Sequence, residues 1–368
     1  MKGIQIRSYV ASLEELSVSS SLAPPQPRAS EYLISVRACA ANFFDILQVH
    51  GRYQHQPPFP WISGCEFAGV VIGIPRDGSD KQFQVGDRVF GAAQGAFAEV
   101  VACHGNSLLP VPKGWGFVEA AGLYITAPTA HAALITRARL ARGEWVLVHA
   151  AAGGVSLAAI QIAKAAGATV IATASSQSKL DIARSFGADH LVNYSTSTNP
   201  TTTGNNTPNP ITFHSHSWVA QVAEILRAHQ RTGLDVVFDP VGLINPSLKL
   251  ASWNARVLVV GFTGGEIEKI AANRVLLKNV ALLGIHWGMY ARFQPSVVEH
   301  TWKALFTLIE RGEFRPTVYR DREFVGLHSV KEALKALAAR KTWGKVVIKI
   351  PPEEKGTLAV QGKRKSRL

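Results

Sequence analysis

Between Trp145 and Tyr194 the chain reads WVLVHAAAGGVSLAAIQIAKAAGATVIATASSQSKLDIARSFGADHLVNY, an order that few folds accept. An apolar strand-like run at 145–149 enters a loop of small residues at 150–156. A helical pattern follows at 155–166, and a second strand-like run at 169–173. Strand, small-residue turn and helix in immediate succession form the unit in which helix N-terminal N–H groups meet a phosphate. The alternation continues, with strands expected at 190–194, 234–239, 256–261 and 280–285. Six such strands with helical patterns between them predict an α/β fold with a doubly wound, six-stranded parallel sheet.

Set against the dinucleotide fingerprint G-x-G-x-x-G, the loop reads Ala151, Ala152, Gly153, Gly154, Val155, Ser156. The middle position is the one where a missing side chain lets a pyrophosphate reach the backbone, and it holds Gly153. The competing reading is an ordinary βα turn with no nucleotide, which the strand–loop–helix–strand context disfavours. A site for NAD places an acid at the end of the second strand, against the ribose 2′-hydroxyl. Here that place holds Ser175 and Ser176, the first acid is Asp181, and Lys179 lies between. Hydroxyls and an ammonium attract a 2′-phosphate where a carboxylate would repel it, so NADPH is the expected cofactor. The alternative is that Lys179 is only a solvent-facing helix lysine.

Charge and cysteine content narrow the partners. The formal net charge is +13 over 368 residues, which suits an anionic small ligand. No helix-turn-helix, zinc finger or aromatic RNA-binding signature accompanies it, so nucleic acid is not expected as a partner. No apolar run approaches the roughly 20 residues that span a bilayer, and no signal peptide opens the chain, so a soluble protein is expected. Three cysteines, Cys39, Cys65 and Cys103, are too few and too scattered for a disulfide framework or a structural zinc lobe. His214 and His216 lie in a Thr/Asn/Pro-rich insertion at 195–217 and lack a third ligand in sequence reach. They read as part of a polar surface loop.

The expected organisation is a β-rich first part at 1–126, the nucleotide domain at 127–287, and a return to the first domain at 288–350. A loose basic tail follows at 351–368. Its last residues, Ser366, Arg367 and Leu368, are similar to the peroxisomal tripeptide Ser-Lys-Leu. A peroxisomal location and an import receptor as partner are expected from them, with the cytoplasm as the alternative.

The segments 38–71, 85–91, 149–168, 187–194, 235–242, 257–265 and 341–348 together carry a wider likeness. They include ACAANFFDILQVHGRYQHQPPFPWISGCEFAGVV, HAAAGGVSLAAIQIAKAAGA and KTWGKVVI. In them the chain resembles the zinc-independent, zeta-crystallin-type quinone oxidoreductases of the medium-chain dehydrogenase/reductase superfamily, closest to the quinone oxidoreductase-like branch. The resemblance implies a GroES-like catalytic domain built from both chain ends, a Rossmann domain between them, and NADPH in the cleft. It places cofactor contacts on Asn42, Thr129, Gly153, Gly154, Val155, Ser175, Lys179, Tyr194, Gly261, Phe262 and Arg340, with Lys179, Tyr194 and Arg340 around the 2′-phosphate. Where zinc members carry a metal-binding Cys and His, this chain has Asn42 and Cys65, so no metal is expected.

Without a Lewis acid, the acceptors that need least activation are conjugated ones, in which hydride charge delocalises. Quinones and α,β-unsaturated carbonyls are the expected substrates. The resemblance places Tyr53 in the substrate cleft, either donating to the developing oxyanion or lining the wall. Asn42 would orient the ribose or the acceptor. Phe43, Trp61, Tyr124, Trp287 and Tyr290 are candidates for a flat apolar cleft or for core. Two other functions stay open: reduction of 2-enoyl thioesters, and non-catalytic NADPH binding of the crystallin or RNA-binding kind. The apolar run VALLGI, as the sheet's last strand, would offer an edge that a homodimer covers.

Overall fold

A computed structural model describes residues 1–78, 82–195 and 217–352. The calls on His214 and His216, on most of the 195–217 insertion, and on Ser366, Arg367 and Leu368 lie outside the described residues.

The alternation read from the sequence becomes a six-stranded parallel sheet. Its strands are β1 (Trp145–Val148), β2 (Thr169–Ala174), β3 (His190–Asn193), β4 (Leu234–Asp239), β5 (Ala251–Val259) and β6 (Ala281–Gly284). The spatial order is β3-β2-β1-β4-β5-β6, the doubly wound order that reverses beside β1. β1 is buried along its whole length, as a central parallel strand covered on both faces must be. β5 starts earlier in the chain than expected. The polar stretch Ser252–Asn254 joins it through a register shift opposite Leu234–Val236, with Asn254 in the left-handed region at φ 63°. Hydrophobic pattern alone hides such a bulge.

A second, seven-stranded sheet holds the chain ends together. Glu31–Ala41 alternates buried and half-exposed residues along its outer part and pairs antiparallel with Glu66–Gly73 on one side. On the other side it pairs with Val346–Lys349, which arrives from the far end of the sequence. Before that return, the helix Pro295–Glu310 buries Trp302 and Leu305 in one continuous core with Ala127, Ala130 and Leu134. The same core takes in Ala38, Ala40 and Phe90 of the second sheet. Alanines on the helices Phe117–Ala121 and Thr126–His131 line this shared core between the two sheets. The chain then rejoins the second sheet at Phe324–Val325.

No helix among the described residues is long and apolar enough to cross a membrane.

One polar network sits at the centre of the nucleotide sheet. His149, at the end of β1, is fully buried. Its Nδ1 lies 2.8 Å from Thr173 Oγ1 and its Nε2 2.8 Å from Ser247 Oγ, with Trp218 edge-on. Burial pulls its pKa down to about 3. The folded protein therefore holds this ring neutral, whereas the unfolded chain protonates it near the ordinary 6.5. Between those values the unfolded state binds the extra proton, so the contribution of His149 is full above about pH 6.5 and is lost as pH falls. The stability gap between wild type and His149→Gln should be widest at neutral pH. It should close by up to about 1.4 kcal/mol per pH unit below about 6.5, measured by urea unfolding at stepped pH. A gap that does not change with pH would mean that the ring takes up its proton equally in the folded and unfolded states.

Candidate active site

The cleft forms where the two domains meet at the carboxyl end of β1. Helix α1 (Gly154–Ala165) begins there with Gly153 as its N-cap, and no side chain caps it. Its first N–H groups are therefore open to an anion. The loop before it is tight. Ala150 is held in the left-handed region at φ 46°, and its carbonyl accepts from Gly153 N at 2.8 Å. Ser156, in the fingerprint's last glycine place, is fully buried and donates its hydroxyl to the His149 carbonyl at 2.8 Å. That bond ties helix to strand, so a serine does by hydrogen bonding what a third glycine does by close approach.

The catalytic domain reaches directly onto this loop. Gly344 N donates to Ala152 O at 2.7 Å, and Gly153 and Gly344 form a parallel bridge. Gly344 has φ 58°, and a Cβ there would run into the Thr317 carbonyl oxygen. Lys345 then lays its stem across the helix start. A Cβ on Gly154 would sit 2.8 Å from Lys345 Cδ, so Gly154 is kept bare by the neighbouring domain as well as for the ligand.

Lys345 ends in a buried polar cluster. Its side chain is 4% exposed and that of its partner Glu66 is 0% exposed, with Nζ 2.8 Å from Glu66 Oε2. The same ammonium donates to Asn42 Oδ1 at 2.6 Å and to Ala41 O at 3.3 Å, which uses all three of its hydrogens. Asn42 Nδ2 donates to Glu66 Oε2 at 3.1 Å, and Glu66 Oε1 accepts from Ile125 N. Close by, Asp45 accepts from Asn42 N at 2.7 Å, while its Oδ1 has no partner. Burial pushes the Asp45 carboxyl up to about 7.

The outer end of the cleft is cationic. Lys179 Nζ donates to the Arg340 carbonyl at 2.8 Å, and Arg340 donates to Thr263 O at 3.0 Å. Burial, and secondarily Arg340, lowers the Lys179 pKa. Burial raises the Tyr194 phenol, while Arg340 and a hydrogen bond with Ser175 pull the other way. The first acid, Asp181, is engaged by Gln177 at 2.8 Å.

The residues singled out from sequence separate into two groups. Asn42, Gly153, Gly154, Val155, Ser175, Lys179, Tyr194 and Arg340 all line the one cleft. Ser176 caps the helix Gln177–Ser185 instead, accepting from Lys179 N. Thr129 spends its hydroxyl on Ile125 O at 2.7 Å, and Thr126 lines the cleft in its place. Gly261 and Phe262 follow β5, but their neighbour Thr263 forms the wall. Tyr53 lies outside this cleft, half-buried and stacked on Phe44 at 5.3 Å. Its hydroxyl has no hydrogen-bond partner among the described residues, and burial, with Cys65 and Asp45 nearby, raises its pKa. Of the five candidate cleft aromatics, Phe43 lines the cleft. Trp61 is core, Tyr124 packs on Trp302, and Trp287 stacks on Tyr290. Lys345, Gly344 and Glu66 were not expected. A lysine and a glutamate heading otherwise apolar strands were the available signal.

The donors do not suit zinc. The amide of Asn42 is committed to Lys345 and Glu66, and an ammonium already occupies the position nearest its oxygen. Burial, followed by Asp45, pushes the Cys65 thiol well above its ordinary range. No group of three His, Cys, Asp or Glu among the described residues could hold a metal ion.

Two family models cover most of this architecture: a zinc-binding dehydrogenase model over residues 154–308 and an alcohol dehydrogenase GroES-like domain over 28–113. The chain is 32% identical to quinone oxidoreductase-like protein 2 of Bos taurus, over 92% of this chain and 91% of the relative. It belongs to the quinone oxidoreductase-like family of the medium-chain dehydrogenase/reductases. Among solved structures, the quinone oxidoreductase from Thermus thermophilus is 30% identical, with a TM-score of 0.75 over 95% of this chain and 100% of that one. The CurK enoyl reductase is 25% identical, with a TM-score of 0.78 over 95% and 99%. Within this oxidoreductase family the chain keeps the six-stranded Rossmann sheet and the GroES-like domain.

The contact of Gly344 with the cofactor loop gives a direct test. Gly344→Ala should cost more than about 2 kcal/mol, because both its φ and its space exclude a side chain. Gly288→Ala, with nothing within 4 Å of its added carbon, should stay within about 0.5 kcal/mol of wild type. Equal urea midpoints for the two variants would refute the close approach.

Proposed function

We propose that the protein is an NADPH-dependent, zinc-independent reductase that transfers a hydride to a quinone or another conjugated carbonyl. The observation that carries this reading is the outer end of the cleft. Lys179 and Arg340 stand beside Ser175 and Tyr194, and the first acid is turned to Gln177. A 2′-phosphate meets two cations there, and an unphosphorylated ribose meets no carboxylate to hold it. The Thermus quinone oxidoreductase, solved in complex with NADPH, supports the same choice.

The open N-terminus of α1 would take the pyrophosphate, with Gly153, Gly154 and Val155 supplying backbone. NADPH supplies the hydride when bound. The chain supplies position, exclusion of water and a donor for the oxygen on which negative charge develops. Tyr53 is the proposed donor: it stands outside the cofactor cleft, its hydroxyl has no hydrogen-bond partner among the described residues, and its raised pKa keeps it protonated at neutral pH, so the role requires the acceptor to reach from the cleft to it.

A second reading, reduction of 2-enoyl thioesters, is favoured by the likeness to CurK enoyl reductase. The two separate in one assay of NADPH loss with a 1,4-quinone and with a trans-2-enoyl-CoA. Faster turnover of the quinone is expected, and turnover of the thioester alone would transfer the proposal to enoyl reduction. Tight NADPH binding without turnover of either would instead favour a non-catalytic role. Lys179→Ala should weaken NADPH about tenfold or more and leave NADH within about twofold, as loss of one charge-assisted contact predicts. Equal losses would refute the 2′-phosphate assignment.

We also propose a homodimer across β6. The edge strand lies beside Leu276 and Leu277, which are 76% and 73% exposed, and Trp253 on the adjoining strand is 68% exposed. Pairing the edge about a two-fold axis would cover them. Sedimentation of wild type as a dimer and of Leu277→Glu as a monomer is expected, and a monomeric wild type at micromolar concentration would refute it.

A further inference from the structure

Amide oxygen and nitrogen are assigned by their partners, and at Asn42 the partners leave one choice. An ammonium only donates, so the atom 2.6 Å from Lys345 Nζ is the amide oxygen. A carboxylate only accepts, so the atom 3.1 Å from Glu66 Oε2 is the amide nitrogen. The second hydrogen of that nitrogen points to Ala40 O at 3.4 Å. Both donors are therefore used inside the protein, and one lone pair on Oδ1 is left for the cleft.

We infer that Lys345 and Glu66 are positioning residues that lock the Asn42 amide as a hydrogen-bond acceptor towards the ligand. In that orientation Asn42 holds a hydroxyl group, such as one on the nicotinamide ribose. It has no hydrogen to give an oxyanion, so stabilising the substrate's developing charge falls to another donor. The lock is also mechanical, because the stem of Lys345 rests on Gly154 at the start of the pyrophosphate-facing helix. The position of that loop and the orientation of the amide are thus set by one side chain.

This inference rests on the NADPH reading and is tested by binding, so the two can fail separately. Wild type is titrated with NADPH by ligand fluorescence, and with adenosine 2′,5′-bisphosphate, which carries the 2′-phosphate end but no nicotinamide ribose. If wild type binds neither, the NADPH reading fails. Given binding, Lys345→Met should weaken NADPH about three- to tenfold, the worth of one net hydrogen bond, and leave the bisphosphate within about twofold. Equal weakening of both ligands would show a general loss of positive field and overturn the inference.

Lys345→Met also strands the Glu66 carboxylate, so the double variant Glu66→Gln/Lys345→Met removes both charges and serves if the single variant folds poorly. Its amide is free to flip, and NADPH should stay weakened; recovery of wild-type affinity would overturn the inference. Finally, Asn42→Ala combined with Lys345→Met should be no worse than Asn42→Ala alone. Losses that multiply would mean that the two side chains act independently.

Discussion

The ion pair between Lys345 and Glu66 is the contact on which the cleft depends. Both charged groups are buried, so their desolvation must be offset by mutual attraction and by further hydrogen bonds. The cluster meets that requirement in full: three acceptors surround the ammonium, and both carboxylate oxygens have donors. Breaking such a pair from one side typically costs about 3–5 kcal/mol, because the surviving charge is left alone. Glu66 heads one strand of the catalytic sheet, while Lys345 comes from the far end of the chain. Asn42 starts the helix Phe43–Val49, and Ile125 precedes the helix Thr126–His131. Four segments distant in sequence are thereby fixed to one point beside the cofactor loop.

Asp45 stands apart from this satisfied cluster. It is buried, has one oxygen without a partner, and is held up to about 7 by burial. The positive charge beside it is that of the Lys345 side chain, and burial keeps the Cys65 thiol protonated.

Much of this was legible in the sequence because it is local. The strand–loop–helix–strand of 145–194 has the period, the small loop residues and the missing acid that its structure requires. The six parallel strands fall on the apolar runs, except that β5 begins earlier, on Ser252–Asn254, and Lys179 and Arg340 line one cleft. Less legible were the features set by contacts between distant segments. Ser176 reads as a ligand hydroxyl, yet it is drawn into capping the next helix. Thr129 and Thr126 each donate their hydroxyl to the carbonyl four residues back, and only the helix geometry brings Thr126 rather than Thr129 to the cleft wall. Lys345 reads as a strand lysine, and nothing local says that Glu66, far back in the chain, lies against it.

The bridge between Gly153 and Gly344 also has a consequence for how the chain is made. Synthesis runs from the N-terminus, and domains fold as they emerge. The nucleotide sheet is complete once β6 has left the ribosome, but the loop over α1 lacks its partner until Gly344 appears. Val346–Lys349 then closes the catalytic sheet beside Glu31–Ala41. The cofactor cleft and the catalytic sheet are thus both completed only by residues 344–349, near the end of the described chain. Until then, Glu66 and Asn42 wait without the cation that balances them.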